Sequence, residues 1–384
     1  GFSLYNEVNC PNMEERLASL EKKVIEIETK LKNVEKTMAD EHYDIEGKIE
    51  TVDNKVAGPN TAVIEGFNEL KDVLLEIKQE NTKISRKTPS GDRESIVVAG
   101  GYGVDSVETF NWHEKTWSPL QSMPQKRRGA TSFVYNNCVT IAGGLCIDKY
   151  LKDMISINAE SKPFNPSTPW TDCPIKMPKK MAYHASDLYK DQLLVCGGHD
   201  KKLEKTSDGI YAVQLVPPYN VDILSRMSEP RRQHSMQIFE DSVVVLGGTT
   251  TGNCDDNLSS VERYDLKKNE SHKLAPLPFE ICRMASVKYG DNIVVVGGCN
   301  KHWEALDTVI LYNVKKEKSD FLPPMKSKRS GCAAVVLGNY IVVLGGFSKL
   351  GPLKSVEAFN FETNTWEELP EMSEPRYLST AVAV

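Results

Sequence analysis

No stretch of the 384 residues approaches the roughly 18 consecutive apolar residues of a bilayer-spanning helix, so a helical membrane span is not expected. Positive charge is not in excess either: 47 Lys and Arg stand against 53 Asp and Glu, a formal net of −6. Nucleic-acid binding, which rests on neutralising phosphates, is therefore not expected. Histidine is scarce, at seven, and shows neither HExxH nor another paired ligand spacing. None of the nine cysteines falls in a C-x-x-C pair. No Gly-rich phosphate loop and no activated-serine motif is present. Metal, cofactor and catalytic residues are all expected to be absent.

The cysteines that are present lie largely in apolar runs, such as Cys138, Cys196 and Cys332, as small buried hydrophobes do. Reduced thiols of this kind suit a cytoplasmic protein. The alternative is a secreted one: the chain opens on Gly1, as after processing, and Asn257-Leu-Ser and Asn269-Glu-Ser are glycosylation sequons.

Charge divides the chain. Residues 1–91 hold 13 basic and 18 acidic side chains (net −5), and residues 92–384 hold 34 and 35 (net −1). The first part carries heptads. Leu17, Leu20, Val24, Ile27, Leu31, Val34 and Met38 alternate steps of three and four, the a and d positions of a coiled coil. Arg16, Lys23 and Lys30 take g, and Glu21, Glu28 and Glu35 take e. In a parallel pair each g meets an e of opposite charge, whereas antiparallel pairing sets like against like. A parallel homo-oligomer is expected, dimer or trimer. After a stutter beyond Met38, Gly58-Pro59-Asn60 breaks the helix. A second heptad run follows, through Phe67, Leu70, Leu74, Ile77 and Ile84 with Asn81 at a. This second helix either continues the oligomer or folds back as a hairpin.

From residue 92 another pattern takes over. A β-branched run ending in Gly-Gly occurs six times, at 97–101, 140–144, 194–198, 244–248, 294–298 and 342–346. A period near 50 with four strands per unit belongs to propellers. After each Gly-Gly comes a loop, then an aromatic strand such as VETF, VERYD or VEAFN. Next is a strand near Trp117, Trp170 or Trp366, with Phe321 in the corresponding place of another unit, and then a Met-bearing turn. An Arg then leads the following strand, as in KRRGA, PRRQHS and KRSGC.

This order resembles the kelch repeat, over about residues 92–384. The resemblance implies an all-β, six-bladed kelch β-propeller, here preceded by an α-helical coiled-coil stalk. The expected organisation is a tail over 1–12, a coiled-coil helix over 13–57, a second heptad helix over 61–87 and a linker over 88–93. The propeller then covers 94–384, its first blade closed by the C-terminal strand 376–384, since the head opens without an Arg-led strand and ends on one.

Arg128, Arg232, Arg283, Arg329 and Arg376, with Lys180 near that place in the remaining unit, are expected to ring one mouth of the channel. Ser330, Tyr183 and Tyr377, and Arg127 and Arg231, lie beside them. Guanidinium forks match carboxylates, and the rim of similar kelch-like substrate adaptors captures acidic peptides. The same arginines could instead hold blades together. The expected function is a non-catalytic scaffold, oligomerised by its coiled coil and binding an acidic protein or peptide. The alternatives are a ubiquitin-ligase substrate adaptor, an actin crosslinker and, further off, a kelch-type sugar mutarotase or oxidase.

Overall fold

The computed structural model describes residues 95–159, 164–202 and 204–384. The stalk expected over 13–57 and 61–87, with its seam from Leu17 to Met38, lies outside the described residues. No helix among the described residues is long and apolar enough to cross a membrane.

Six four-stranded antiparallel sheets follow one another. In blade 2 the strands are Thr131–Tyr135, Cys138–Ala142, Asp153–Asn158 and Thr171–Lys176, hydrogen-bonded in that order. Blades 3 to 6 repeat the scheme, with innermost strands Ala185–Tyr189, Ser235–Phe239, Ala285–Tyr289 and Ala333–Leu337. Each innermost strand neighbours the next in a closed cycle. Blade 1 is composite. Its strands Ser95–Gly101, Val104–Asn111 and Thr116–Leu120 come first in the chain, and its innermost strand, Thr380–Ala383, comes last. Ile96 pairs with Ala383 and Ala99 with Thr380, so the two ends of the head share one sheet.

The strands differ by depth. Innermost strands are rich in Ala, Ser and Thr because six of them converge. Their hydroxyls bond across blades, Ser132 to Thr380 and Ser186 to Thr131, both at 2.6 Å. Second strands are β-branched and buried on both faces, as Val243 to Leu246 shows. Fourth strands face solvent and are polar, as in ESHKL. In five of the six blades the third strand ends on Asn or Asp, blade 3 ending on Gln214, and the reason is local. Asn111 Oδ1 accepts from the amides of His113 and Glu114, and Asp265 Oδ1 from those of Lys267 and Lys268. These Asx caps turn the chain into the outer strand.

The core lies in six seams between blades. Ile96 and Val98 pack against Val342 and Leu344 of blade 6, while Val97 and Ala99 face Ile141 and Ile155 of blade 2. Strand alternation thus gives each blade two apolar faces, one for each neighbour.

Further out, one polar bond crosses most seams. Trp117, Trp170 and Trp366 donate Nε1 to the carbonyls of Pro370, Gln121 and Pro323 in the preceding blade's exit segment, at 2.7–2.8 Å. Phe110 and Phe359 stand opposite Trp117 and Trp366. In blades 4 and 5 the pair becomes Tyr264 with Ser271 and Tyr312 with Ser319. There the Tyr312 hydroxyl makes the bond, to Ala275 O at 2.8 Å, whereas that of Tyr264 donates within its own blade to Asn269 Oδ1 at 2.5 Å. Phe321, expected in the Trp place, instead pairs with Ile310 and is 60% exposed; Ser319 holds that place.

Removing Thr380–Val384 uncovers the apolar edge of Ser95–Gly101 and opens the cycle. The truncated chain should lose its cooperative melting transition and elute as aggregate on gel filtration. A monodisperse species with an unchanged melting temperature would refute closure as the source of stability.

Candidate functional site

The linker between blades passes through four aligned positions, and their fates differ. The first holds Arg127, Met181, Arg231, Ile281, Arg329 and Arg376, and the second Arg128, Ala182, Arg232, Cys282, Ser330 and Tyr377. The third holds Gly129, Tyr183, Gln233, Arg283, Gly331 and Leu378, and the fourth Ala130, His184, His234, Met284, Cys332 and Ser379.

All six residues at the third position are left-handed, with φ between 54° and 61°, although four are not glycine. The strain has a purpose. Each donates its amide to the carbonyl of the preceding one: Tyr183 to Gly129, Gln233 to Tyr183, Arg283 to Gln233, Gly331 to Arg283, Leu378 to Gly331 and Gly129 to Leu378, at 2.7–3.0 Å. The bonds close a ring around one end of the axial channel.

The first position points inward. Arg127, Arg231, Arg329 and Arg376 are at most 2% exposed. Arg329 O accepts the amide of Gly298 in blade 5, while its guanidinium donates to Gly345 O and Ser355 O in blade 6 and to the buried Glu357 at 2.6 Å. Arg376 ties blade 6 to Glu108 of blade 1 in the same way. The glycines make room. A Cβ on Gly297 would stand 2.5 Å from Arg329 O, at a φ of +61°. Arg329 and Arg376, expected at the mouth, are therefore corrected to blade bolts, as are Arg127 and Arg231. Ser330 is buried beside Arg329. Lys180 precedes Met181 and is out of register with every arginine here.

Where the bolt changes, its partners change with it. Glu108, Glu262 and Glu357 also accept the linker amides of Ser373, Ser228 and Lys326. In blades 2, 3 and 5 the Glu becomes Ile155, Tyr211 and Ile310, and the amide donor becomes Pro124, Pro178 and Pro278, which have no N–H to satisfy. Met181 packs with Tyr211 and Ile281 with Ile310. Arg127 keeps a carboxylate from Asp153.

Arg128, Arg232 and Arg283 remain as the cations of the mouth. Among the described residues, none of the three pairs with a carboxylate within 4.0 Å. Arg128 and Arg232 line a cavity of about 380 Å³ with Tyr150, Tyr183, Gln233 and Lys201. Asp148 and Glu204 also line it, Glu204 being bonded to Lys201 at 2.6 Å. Burial pulls the Arg232 guanidinium below its ordinary value, opposed by the nearby Tyr150 and Tyr183. Arg283 bonds Gln233 Oε1 at 3.2 Å and the Tyr377 hydroxyl at 3.1 Å. Exposed rings flank these cations: Tyr102, 62% exposed, lies 4.3 Å from the Arg128 guanidinium, and Trp303, 53% exposed, lies 5.0 Å from that of Arg283. Neither ring was singled out from the sequence, although both sit in loops that follow a Gly-Gly.

A model of the Kelch motif matches residues 230–278, 281–326 and 328–373, the units of blades 4, 5 and 6. The chain carries kelch repeats. It is 26% identical over 267 residues to Kelch-like protein 36 of Bos taurus, covering 62% of this chain and 40% of that protein. Alpha-scruin of Limulus polyphemus is 29% identical over 129 residues, 32% of this chain and 14% of its own. The chain thus spans less than half the length of these curated relatives. The solved structure of YjhT superposes with a TM-score of 0.61 at 13% identity, over 72% of this chain and 95% of that one, a likeness of fold. These kelch units account for the Gly-Gly, the aromatic strand and the bolt arginine together.

Two kelch histidines occupy the fourth linker position. His184 and His234 are buried, and burial holds their pKa values down, to about 4 and about 3 from 6.5. His184 Nε2 bonds Thr131 Oγ1 at 3.1 Å. Among the described residues no group of three His, Cys, Asp or Glu is arranged to hold a metal. Asn257 donates its amide to Cys299 O and is buried, so the folded head cannot carry a glycan there.

Two outcomes follow from this geometry. Arg329→Ile leaves Glu357 buried without its cation and should cost about 3–5 kcal/mol in denaturant unfolding. Adding Glu357→Ile and Lys326→Pro, the blade 5 set, should recover most of that loss; no recovery would refute the bolt as a replaceable unit. The neutral histidines are stabilising above their unfolded pKa of 6.5, and this is lost as pH falls through the folded values. Stability should fall between pH 6.5 and 4 by up to about 1.4 kcal/mol per pH unit per histidine. The slope in thermal melts should be shallower in a His184→Gln/His234→Gln variant.

Proposed function

We propose that the chain is a non-catalytic interaction protein that takes an acidic peptide segment of a partner at the mouth. One observation carries this reading: Arg128, Arg232 and Arg283 stand on one face, none of them paired among the described residues with a carboxylate within 4.0 Å, although Asp148 and Glu204 line the same cavity, and exposed Tyr102 and Trp303 flank them. Part-buried cations lacking a counter-ion gain most from an incoming carboxylate, which repays the hydration they have lost. Tyr, Trp and Arg are also the side chains that dominate protein-binding hot spots. The separation of bolt from mouth arginines supports the same reading, because the bolts already meet the structural demand.

The heptads over 13–57 and 61–87 add a second element to the proposal. A parallel oligomer joined by Leu17, Leu20, Val24, Ile27, Leu31, Val34 and Met38 presents several mouths at once. Linked heads gain roughly 10²–10⁴ in apparent affinity where the geometry lets them engage together. A cytoplasmic setting fits the free thiols of the head.

The test is fluorescence anisotropy of the full chain with an Asp- and Glu-rich peptide pool against neutral and basic pools. The acidic pool should bind in a salt-sensitive manner. Arg128→Ala, Arg232→Ala and Arg283→Ala should each weaken it by about 10- to 100-fold with unchanged melting temperatures. Equal binding of all pools, or variants that bind like wild type, would overturn the reading.

A further inference from the structure

Like the blade 2–blade 3 seam, which carries Met181 and Ala182, the seam between blades 4 and 5 has no arginine in its first two linker positions; there Ile281 takes the bolt's place and Cys282 the second. Cys282 forms a backbone bridge with Cys299, the residue directly after Gly297-Gly298 of blade 5. Cys254 reaches the same spot from the loop that follows Gly247-Gly248 of blade 4, held on a short 3-10 turn, Cys254–Asp256. The Cys254 sulfur lies 3.3 Å from that of Cys299 and 3.8 Å from that of Cys282. The three thiols form a small apolar cluster of their own. Single buried cysteines such as Cys196 and Cys332 have no such neighbour and are inert fillers.

Three sulfurs in van der Waals contact, contributed by two blades and the linker between them, exceed what packing requires. We propose that they form a peroxide-oxidisable thiol centre, in which Cys254 and Cys299 join as a disulfide across the blade 4–blade 5 seam. Cys254 is the attacking sulfur. It lies one residue below the surface, between the exposed Asn253 and Asp255, and it touches both other thiols. Its hydrogen bonds with Cys282 and then with Cys299, and the positive charge of Arg283, lower its pKa, whereas the hydrogen bonds of Cys282 with Cys254 and Cys299, and burial, raise that of Cys282.

The chemistry balances with hydrogen peroxide as oxidant. The Cys254 thiolate attacks one peroxide oxygen; the S–O bond forms, the O–O bond breaks, and the departing hydroxide takes a proton to become water. The Cys299 sulfur then attacks the sulfenic sulfur. The S–S bond forms, the S–O bond breaks, and the leaving hydroxide takes the Cys299 proton as a second water. Two thiols and one peroxide give a disulfide and two waters. The product ties residues 249–257 to blade 5. That segment includes Gly252, which packs against the Arg232 guanidinium, so oxidation fixes one wall of the mouth cavity.

The full chain is titrated with hydrogen peroxide, unfolded in the presence of an alkylating reagent and digested for mass spectrometry. A Cys254–Cys299 cross-linked peptide is expected in more than half of the molecules, reversed by dithiothreitol, with Cys282 still alkylated. Cys254→Ser and Cys299→Ser should each abolish the cross-link, and Cys282→Ala should retain it, with folding of every variant checked by circular dichroism melting. Three outcomes would overturn the proposal. Cys254 and Cys299 could remain alkylated after the more accessible Cys146 has oxidised. Cys254 could pass to sulfinic acid without a cross-link. The isolated protein could hold one equivalent of zinc or copper on the trio. Should the serine variants fail to fold, timed alkylation of the wild type decides: Cys254 and Cys299 must disappear together and before Cys196.

Discussion

The head depends on a circle of six backbone hydrogen bonds that runs from linker to linker and returns to its start. A circle of this kind forms only if every linker presents its amide and carbonyl in one orientation. That requirement is why Tyr183, Gln233, Arg283 and Leu378 accept a left-handed backbone that L-residues ordinarily avoid. The strand Thr380–Ala383 completes the same circle from the sheet side, since without it blade 1 has no innermost strand and no sixth linker is fixed. Ring and strand together remove the free edges at which a sheet array would otherwise associate.

Given the ring, each seam faces the same demands, and the repeats meet them with interchangeable sets of residues. A buried guanidinium needs a carboxylate, and a carboxylate with lone pairs to spare needs amide donors, so Arg329, Glu357 and Lys326 belong together. Ile281, Ile310 and Pro278 fill the corresponding places with no polar group left to satisfy. A buried ion pair and a well-packed apolar pair are often close in net stability, whereas a mixture of the two leaves a charge stranded. The outer staple obeys the same rule, with Phe and Trp in one set and Tyr and Ser in the other, so that a donor still reaches the neighbouring carbonyl.

This explains what could be read from the residues and what could not. Gly-Gly at a period near 50 located every second strand, because buried β-branched runs and a positive-φ turn leave little choice of residue. The arginines were harder. Arg329, Arg232 and Arg283 look alike as the basic residue ahead of a strand, yet they occupy the first, second and third linker positions. Successive linker positions point in different directions, so counting arginines merges bolts with mouth residues. Part of the discriminating signal was present as the alternation of Pro with an amide donor in the linker and of Ile or Tyr with Glu in the third strand, but it fails at the blade 1–blade 2 seam, where Arg127 is a bolt beside Pro124 and Ile155 because Asp153 supplies its carboxylate. Phe321 was misplaced for a similar reason: aromatic character suggested the Trp place, whereas the strand register assigns it to Ser319. Tyr102 and Trp303 gave no periodic signal at all, because they stand in the variable loops.

The division of the linker also bears on how such a head acquires activity. Its first position is committed to the seam, and its third to the ring by backbone alone, which leaves the third side chain, like the second, free to vary. Arg283 can therefore face the mouth while its amide and carbonyl hold the circle. The blade 4–blade 5 seam carries this furthest: with Ile281 and Ile310 meeting the packing demand, Cys282 is released from any bolt-related role and meets Cys254 and Cys299 instead. Because hydrocarbon fills the bolt's place at this seam, oxidation of the trio breaks no buried ion pair.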